Sequence, residues 1–234
     1  MMTKALINVV LSSLKWLGRL TVTGALLCGF AAAHAQQFSA DLVIVRHEGA
    51  AAEPAGKLHV LGGKVRLETP ELADGFFLVD GATPAAYFVR PATRVFMDAR
   101  QSSRLTRMFV PVDPDDPCRQ WQAMAKLAGS ADHGDWRCER AGEETIGGRS
   151  AITFQAASTR GRELVGWIDA ALKFPVRIKT QDGAVITAEN VRDEPQPAQL
   201  FEIGSGFRKF DPQALIKRIK QSDVWVAGQK DSND

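Results

Sequence analysis

From Phe38 onward the chain is cut into short apolar runs of period two, with glycine or proline at most of the boundaries. A strand of this kind buries one face, so a meander of many strands must curl until its apolar face meets a cover. FSADLVIVRH (Phe38–His47) leads through a small polar loop to KLHVLGGKVRLET (Lys57–Thr69). Gly62-Gly63 between two alternating arms predicts a tight hairpin, because glycine takes positive φ without a Cβ clash. In the second arm Val65 and Leu67 point to a packed side, while Lys64, Arg66 and Glu68 point to water. GFFLVDG, AAYFVR and RVFMDA (Gly75 to Ala99) read as three more strands, turned at Gly81, Pro84 and Pro91.

Two stretches break the pattern. After the proline-punctuated loop PVDPDDPC, Cys118–Gly129 reads as a helix, with Trp121, Met124, Ala125 and Ala128 on one stripe, Asp116 as a cap and Gly129 as a stop. Five further strands follow (DWRCERAGEETI, RSAITFQAAS, RELVGWIDAAL, FPVRIKTQDG and AVITAENVRD), and Asp182-Gly183 predicts a hairpin between the last two. Asp211 and Pro212 then open a terminal helix with Leu215, Ile216 and Ile219 on one stripe beside Lys217, Arg218 and Lys220. The expectation is a mainly β (α+β) fold: about 10–11 antiparallel strands in one strongly curved sheet, covered by the central and the C-terminal helix. Whether the enclosed space is filled by side chains or left for a ligand cannot be read from composition.

The first 35 residues belong to a different class. A basic start with Lys4, Lys15 and Arg19 precedes the apolar run Leu20–Ala33, and Ala33-His34-Ala35 has the small-x-small form read by a signal peptidase. The run is shorter than the roughly 20 residues that cross a bilayer. The expectation is therefore a signal peptide over 1–35, cleavage near Ala35/Gln36, and a single exported domain over 36–234, not transmembrane after cleavage. With those three cations set aside, 29 basic against 27 acidic residues fall to near balance, which gives no reason to expect nucleic acid as a partner. Export also bears on the cysteines. Cys118 and Cys138 are the two that follow the signal, and an oxidising compartment favours a structural disulfide between them.

The order of the pieces carries a resemblance. FSADLV soon after a signal, GKLHVLGGKVRLE, ETIGGRSAITF, GWIDAALKFPVRIKT and finally LFEIGSGFRKFDP together resemble the outer-membrane lipoprotein-sorting proteins, the periplasmic lipoprotein-carrier-like superfamily, over about Phe38 to Asp211. The insert around Cys118 and Cys138 departs from that pattern. The resemblance implies a periplasmic, monomeric half-barrel that holds or senses acyl chains without catalysis. It would make Val65, Leu67, Ile152, Phe154, Leu164, Ile168, Val176 and Ile178 the apolar wall of a hollow for the acyl chain of a lipoprotein or lipid. Burial contributes about 0.8 kcal/mol per methylene, so one long chain supplies roughly 8–11 kcal/mol before ordering costs.

The other candidate is a run of arginines. Arg90, Arg94, Arg100, Arg104 and Arg107 are interrupted by one acid, Asp98, and forked guanidinium donors suit phosphate or carboxylate. Arg100, Arg104 and Arg107 are the expected headgroup contacts; a solvated loop is the competing reading. His47, Glu48, Glu53 and His59 lack a metal-binding frame, with His59 expected in solvent. No nucleophile elbow or phosphate loop is present, so neither a catalytic centre nor a cofactor is expected. A second class of function stays open: a structural or regulatory module with a filled interior and an envelope protein partner.

Overall fold

The protein is described from a computed structural model, which covers residues 36–99, 103–129, 135–159 and 161–221. The expected signal peptide and Arg100 lie outside the described residues. Six strands come first: β1 (Gln37–Val45), β2 (Glu53–Leu61), β3 (Lys64–Glu68), β4 (Phe76–Asp80), β5 (Ala85–Arg90) and β6 (Val95–Asp98). A short helix α1 (Leu105–Met108) and the longer α2 (Pro117–Leu127) follow. Then come β7 (Arg137–Ile146), β8 (Arg149–Ser158), β9 (Gly161–Asp169), β10 (Phe174–Thr180), β11 (Val185–Arg192), a two-residue β12 (Arg208–Lys209) and α3 (Pro212–Gln221).

All twelve of these strands form one sheet, in the order β12-β6-β5-β4-β3-β2-β1-β11-β10-β9-β8-β7. Two meanders, β1 to β6 and β7 to β11, meet along the antiparallel β1–β11 pair. Both expected glycine hairpins form, at Gly62 (φ 57°) and Gly183 (φ 90°). The last strand, β12, adds the parallel pair with β6 that the sequence reading omitted.

This order fixes what the central helices do. β6 lies next to one edge of the sheet and β7 forms the other, so the chain between them passes from one side of the sheet to the other, and α1 and α2 pack on its apolar face as a plug. Trp121 and Met124 of α2, with Met108 and Phe109, are buried in one cluster with Val65 and Leu67 of β3, Phe77 of β4 and Ile168 and Ile178 of β9 and β10. Phe174 links the layers, edge-on to Phe38 at 5.2 Å and 6.4 Å from Phe109. Asp116 caps α2 by accepting from the Arg119 backbone N–H, and Gly129 ends it with φ 71°. Gly166 of β9 lets the indole lie against the sheet, since a Cβ there would sit 2.5 Å from a ring carbon of Trp121.

The outer face departs from expectation. The alternation in β3 predicts a wet side, yet Phe76, Leu78 and Val89 on that side of β4 and β5 are buried. The segment after β11 crosses this face and seals it. Ile203 and Phe207 pack on Phe76, Leu78 and Val89; Arg66 lies 3.5 Å over the Phe76 ring and donates to the Leu200 carbonyl. His59, expected in solvent, is half-covered by the same strap and hydrogen-bonded to Gln196 at 3.0 Å. Of the two expected covers, α2 packs on the arch, while every residue of α3 is exposed.

Candidate functional site

The eight apolar residues expected to wall a hollow all belong to or pack on one buried cluster. Val65, Leu67, Phe154, Leu164, Ile168, Val176 and Ile178 are buried in the main cluster, and Ile152 packs against it half-buried. Their partners across the arch are side chains of the plug. Among the described residues, a cavity of about 240 Å³ is reached by Leu164 of the eight, and a separate hollow of about 450 Å³ by Val176.

That cavity joins two features that are far apart in sequence. Its apolar wall is Met108, Trp121, Ala125, Trp136 and Leu164; its polar rim is Arg104, Arg107, Thr180, Gln181 and Asp182. The wall is fixed from below, because the Trp121 Nε1–H donates to the Met108 carbonyl at 3.1 Å and so ties α2 to the end of α1. Ser103 shapes the rim: its side-chain oxygen accepts from the Leu105 N–H, and its carbonyl accepts from the Thr106 hydroxyl. The Asp182-Gly183 hairpin delivers Asp182 to the same place, where its carboxylate pairs with Arg104 at 2.6 Å.

The two arginines are therefore unequal. Arg104 is exposed and ion-paired. Arg107 is half-buried, and among the described residues no carboxylate pairs with it. Burial, and then the nearby charge of Arg104, hold its guanidinium below its ordinary pKa. A desolvated, uncompensated cation beside an apolar wall is costly to keep, and an anion seated there would relieve that cost. The rest of the sequence cluster disperses: Arg90 pairs with Asp74, and Arg94 adopts a left-handed turn (φ 49°) whose carbonyl receives the Arg208 N–H.

Asp182 acts as a gate on Arg104. Its pKa lies below the ordinary value, chiefly because it accepts from the Thr180 hydroxyl and then through Arg104. The pair is thus complete above the ordinary carboxylate pKa of about 3.9 and fades only as pH falls through the depressed value. If an anionic amphiphile seats in this cavity, Asp182→Asn, which frees Arg104 from a pair worth about 0.2–1 kcal/mol, raises its affinity up to about fivefold, measurable by calorimetry.

The Cys118–Cys138 disulfide forms with a Cα–Cα separation of 5.5 Å and fastens the start of α2 to the edge strand β7. A larger and more open hollow of about 610 Å³ lies on the outer face beside Pro54, Lys57, Arg66, Phe76 and Pro91. Of its charged lining residues, Arg66 pairs with Glu68, Asp74 pairs with Arg90 just beyond the lining, and Lys57 is in no ion pair among the described residues. Among the described residues no group of three metal-ligating side chains occurs, and no helix is long and apolar enough to cross a membrane. Arg104, Arg107 and Leu164, expected from the sequence, line the cavity of about 240 Å³ together with Trp121, Trp136 and Asp182, which the sequence reading did not place at a site. The buried stripe of α2 was a signal for Trp121; nothing local marks Asp182 as the partner of Arg104.

No family model matches the chain, and neither does any curated protein. Solved structures that are similar include an uncharacterised conserved protein from Thermus thermophilus, 14% identical with TM-score 0.42, covering 75% of this chain and 90% of that one. A LolA superfamily protein from Nitrosomonas europaea is 12% identical with TM-score 0.33, covering 72% of this chain and 90% of that one. An outer-membrane lipoprotein-sorting domain from Vibrio parahaemolyticus is 9% identical with TM-score 0.32, covering 80% and 92%. Lipoprotein-sorting proteins are thus among the solved structures to which this chain is similar.

Proposed function

We propose that this chain is an exported, periplasmic, non-catalytic binding protein that shelters an acyl chain of a lipoprotein or lipid. The anionic or polar head rests on Arg107, with Arg104 beside it, and the first methylenes lie on Trp121, Trp136 and Leu164. One observation carries the reading: a half-buried guanidinium, with no carboxylate partner among the described residues, lines a cavity that also has an apolar wall. At about 240 Å³ the cavity is smaller than the roughly 300–1,000 Å³ of ordinary ligand sites. A full chain therefore enters only as α2 yields, and the walls exposed by that movement are Phe154, Leu164, Ile168 and Ile178 on the arch.

A second reading, a regulatory module with a filled interior and an envelope protein partner, is favoured by the packing of Trp121 and Met124 into the arch. Native mass spectrometry of the mature protein purified from an envelope fraction separates the two. Co-purifying lipid, lost in Arg107→Gln, supports sheltering. A clean apo mass with a stoichiometric protein partner supports the module.

A further inference from the structure

α3 begins firmly. Asp211 Oδ1 accepts from the backbone N–H groups of Gln213 and Ala214 at 2.9 and 3.1 Å, and Pro212 occupies the first turn. Its apolar stripe nevertheless faces out. Leu215 is 38% exposed, Ile216 51% and Ile219 44%, and these are the exposed large apolar side chains among the described residues. On a helix of 3.6 residues per turn, Pro212, Leu215, Ile216 and Ile219 fall within an arc of about 100°. Arg218 and Lys220 lie on its two flanks, with Lys217 beyond, and α3 contains no acid. Flanking cations around an apolar wedge complement a bilayer surface with negative headgroups: the long basic side chains reach up to the phosphates while the wedge enters the acyl boundary.

We propose that α3 is a surface-seeking helix that docks this protein on anionic lipid. Leu215, Ile216 and Ile219 supply the apolar wedge; Lys217, Arg218 and Lys220 supply attraction. Each cation near an anionic surface is worth about 1 kcal/mol, or about fivefold in affinity, so the two that flank the wedge, Arg218 and Lys220, give about a 25-fold preference for anionic over neutral vesicles. The preference falls with salt, because the screening length shrinks from about 10 Å at 0.1 M to about 3 Å at 1 M.

The test is co-sedimentation of the mature chain with phosphatidylcholine vesicles with and without 30 mol% phosphatidylglycerol, a probe composition set at about one lipid in three to give a strong field. Expected is binding to the anionic vesicles, about 25-fold weaker for the neutral ones and for R218Q/K220Q, and at least tenfold weaker for L215S/I216S. Unchanged far-UV circular dichroism and melting show that these exposed substitutions leave the fold intact. Absence of binding by the unsubstituted chain overturns the proposal. So does binding that the α3 variants leave unaltered, and so does self-association that L215S/I216S abolishes without any lipid binding, which would make the stripe a protein interface.

Discussion

Trp121→Ala lowers stability by about 3–5 kcal/mol, the range for removing a large buried aromatic. The indole is 1% exposed, touches the sheet where Gly166 lacks a side chain, and makes the hydrogen bond that holds α1 to α2. Its removal leaves the Met108 carbonyl without its donor and opens the floor of the cavity into the arch. In a domain of this size such a loss shifts the melting temperature down by about 6–20 °C. The same change makes room for a ligand. If the plug occupies the place of an acyl chain, the destabilised variant takes up a fluorescent fatty acid more tightly than the parent and regains melting temperature when it does. Gly166→Ala separates packing from ligand space: it crowds the indole without creating a void, so it costs about 1–3 kcal/mol and brings no gain in uptake. An unshifted melting curve for Trp121→Ala would show that the indole does not hold the plug.

Removing the disulfide has the second large effect. Cys118 and Cys138 close a loop with a sequence separation of 20, and loss of that constraint on the unfolded chain costs about 3 kcal/mol, or about 6–12 °C in melting temperature. The double variant Cys118→Ser/Cys138→Ser is the clean measurement, because no free thiol remains to form mixed disulfides. Its second consequence concerns α2. The bond fastens the N-terminal end of the plug to β7, so without it acyl uptake speeds up while the head still requires Arg107. A variant that loses stability but binds at the parent's rate would mean that α2 does not move from its N-terminal end.

Much of the fold was legible because it is local. Alternation in Val65 and Leu67, positive φ at Gly62 and Gly183, and the Asp116 cap with its Trp121–Met124–Ala128 stripe each fix an element from within a few residues. What the sequence could not show is where the ends of the sheet lie. That the α1–α2 segment plugs the arch follows from the separation of β6 and β7 in the strand order, and no periodicity encodes that order. The outer face was misread for a related reason. Four successive buried residues, Phe76 to Val79, were a sign of burial on both faces, but the strap that covers them lies over a hundred residues later in the chain. The terminal helix had an amphipathic stripe, and a stripe alone does not say whether it faces a core or water; Ile216 at 51% exposure answers that.

The arginines teach the same lesson at the site. Five bases between Arg90 and Arg107 looked like one patch, yet pairing separates them: Arg90 goes to Asp74, Arg104 to Asp182, and Arg107 is left at the cavity. Net charge in a window reports none of this, because each carboxylate that decides the outcome comes from a distant turn.

The most direct measurement is calorimetric titration of the oxidised mature protein with a lysophosphatidylglycerol, a single acyl chain under an anionic head, below its micelle concentration. The background carries L215S/I216S, so that α3 adds nothing to the signal. The expected result is one saturable site per chain, weakened at least tenfold by Arg107→Gln and strengthened up to about fivefold by Asp182→Asn. No saturable binding, or an affinity that Arg107→Gln leaves unchanged, would contradict acyl sheltering and leave the filled arch as a scaffold for a protein partner.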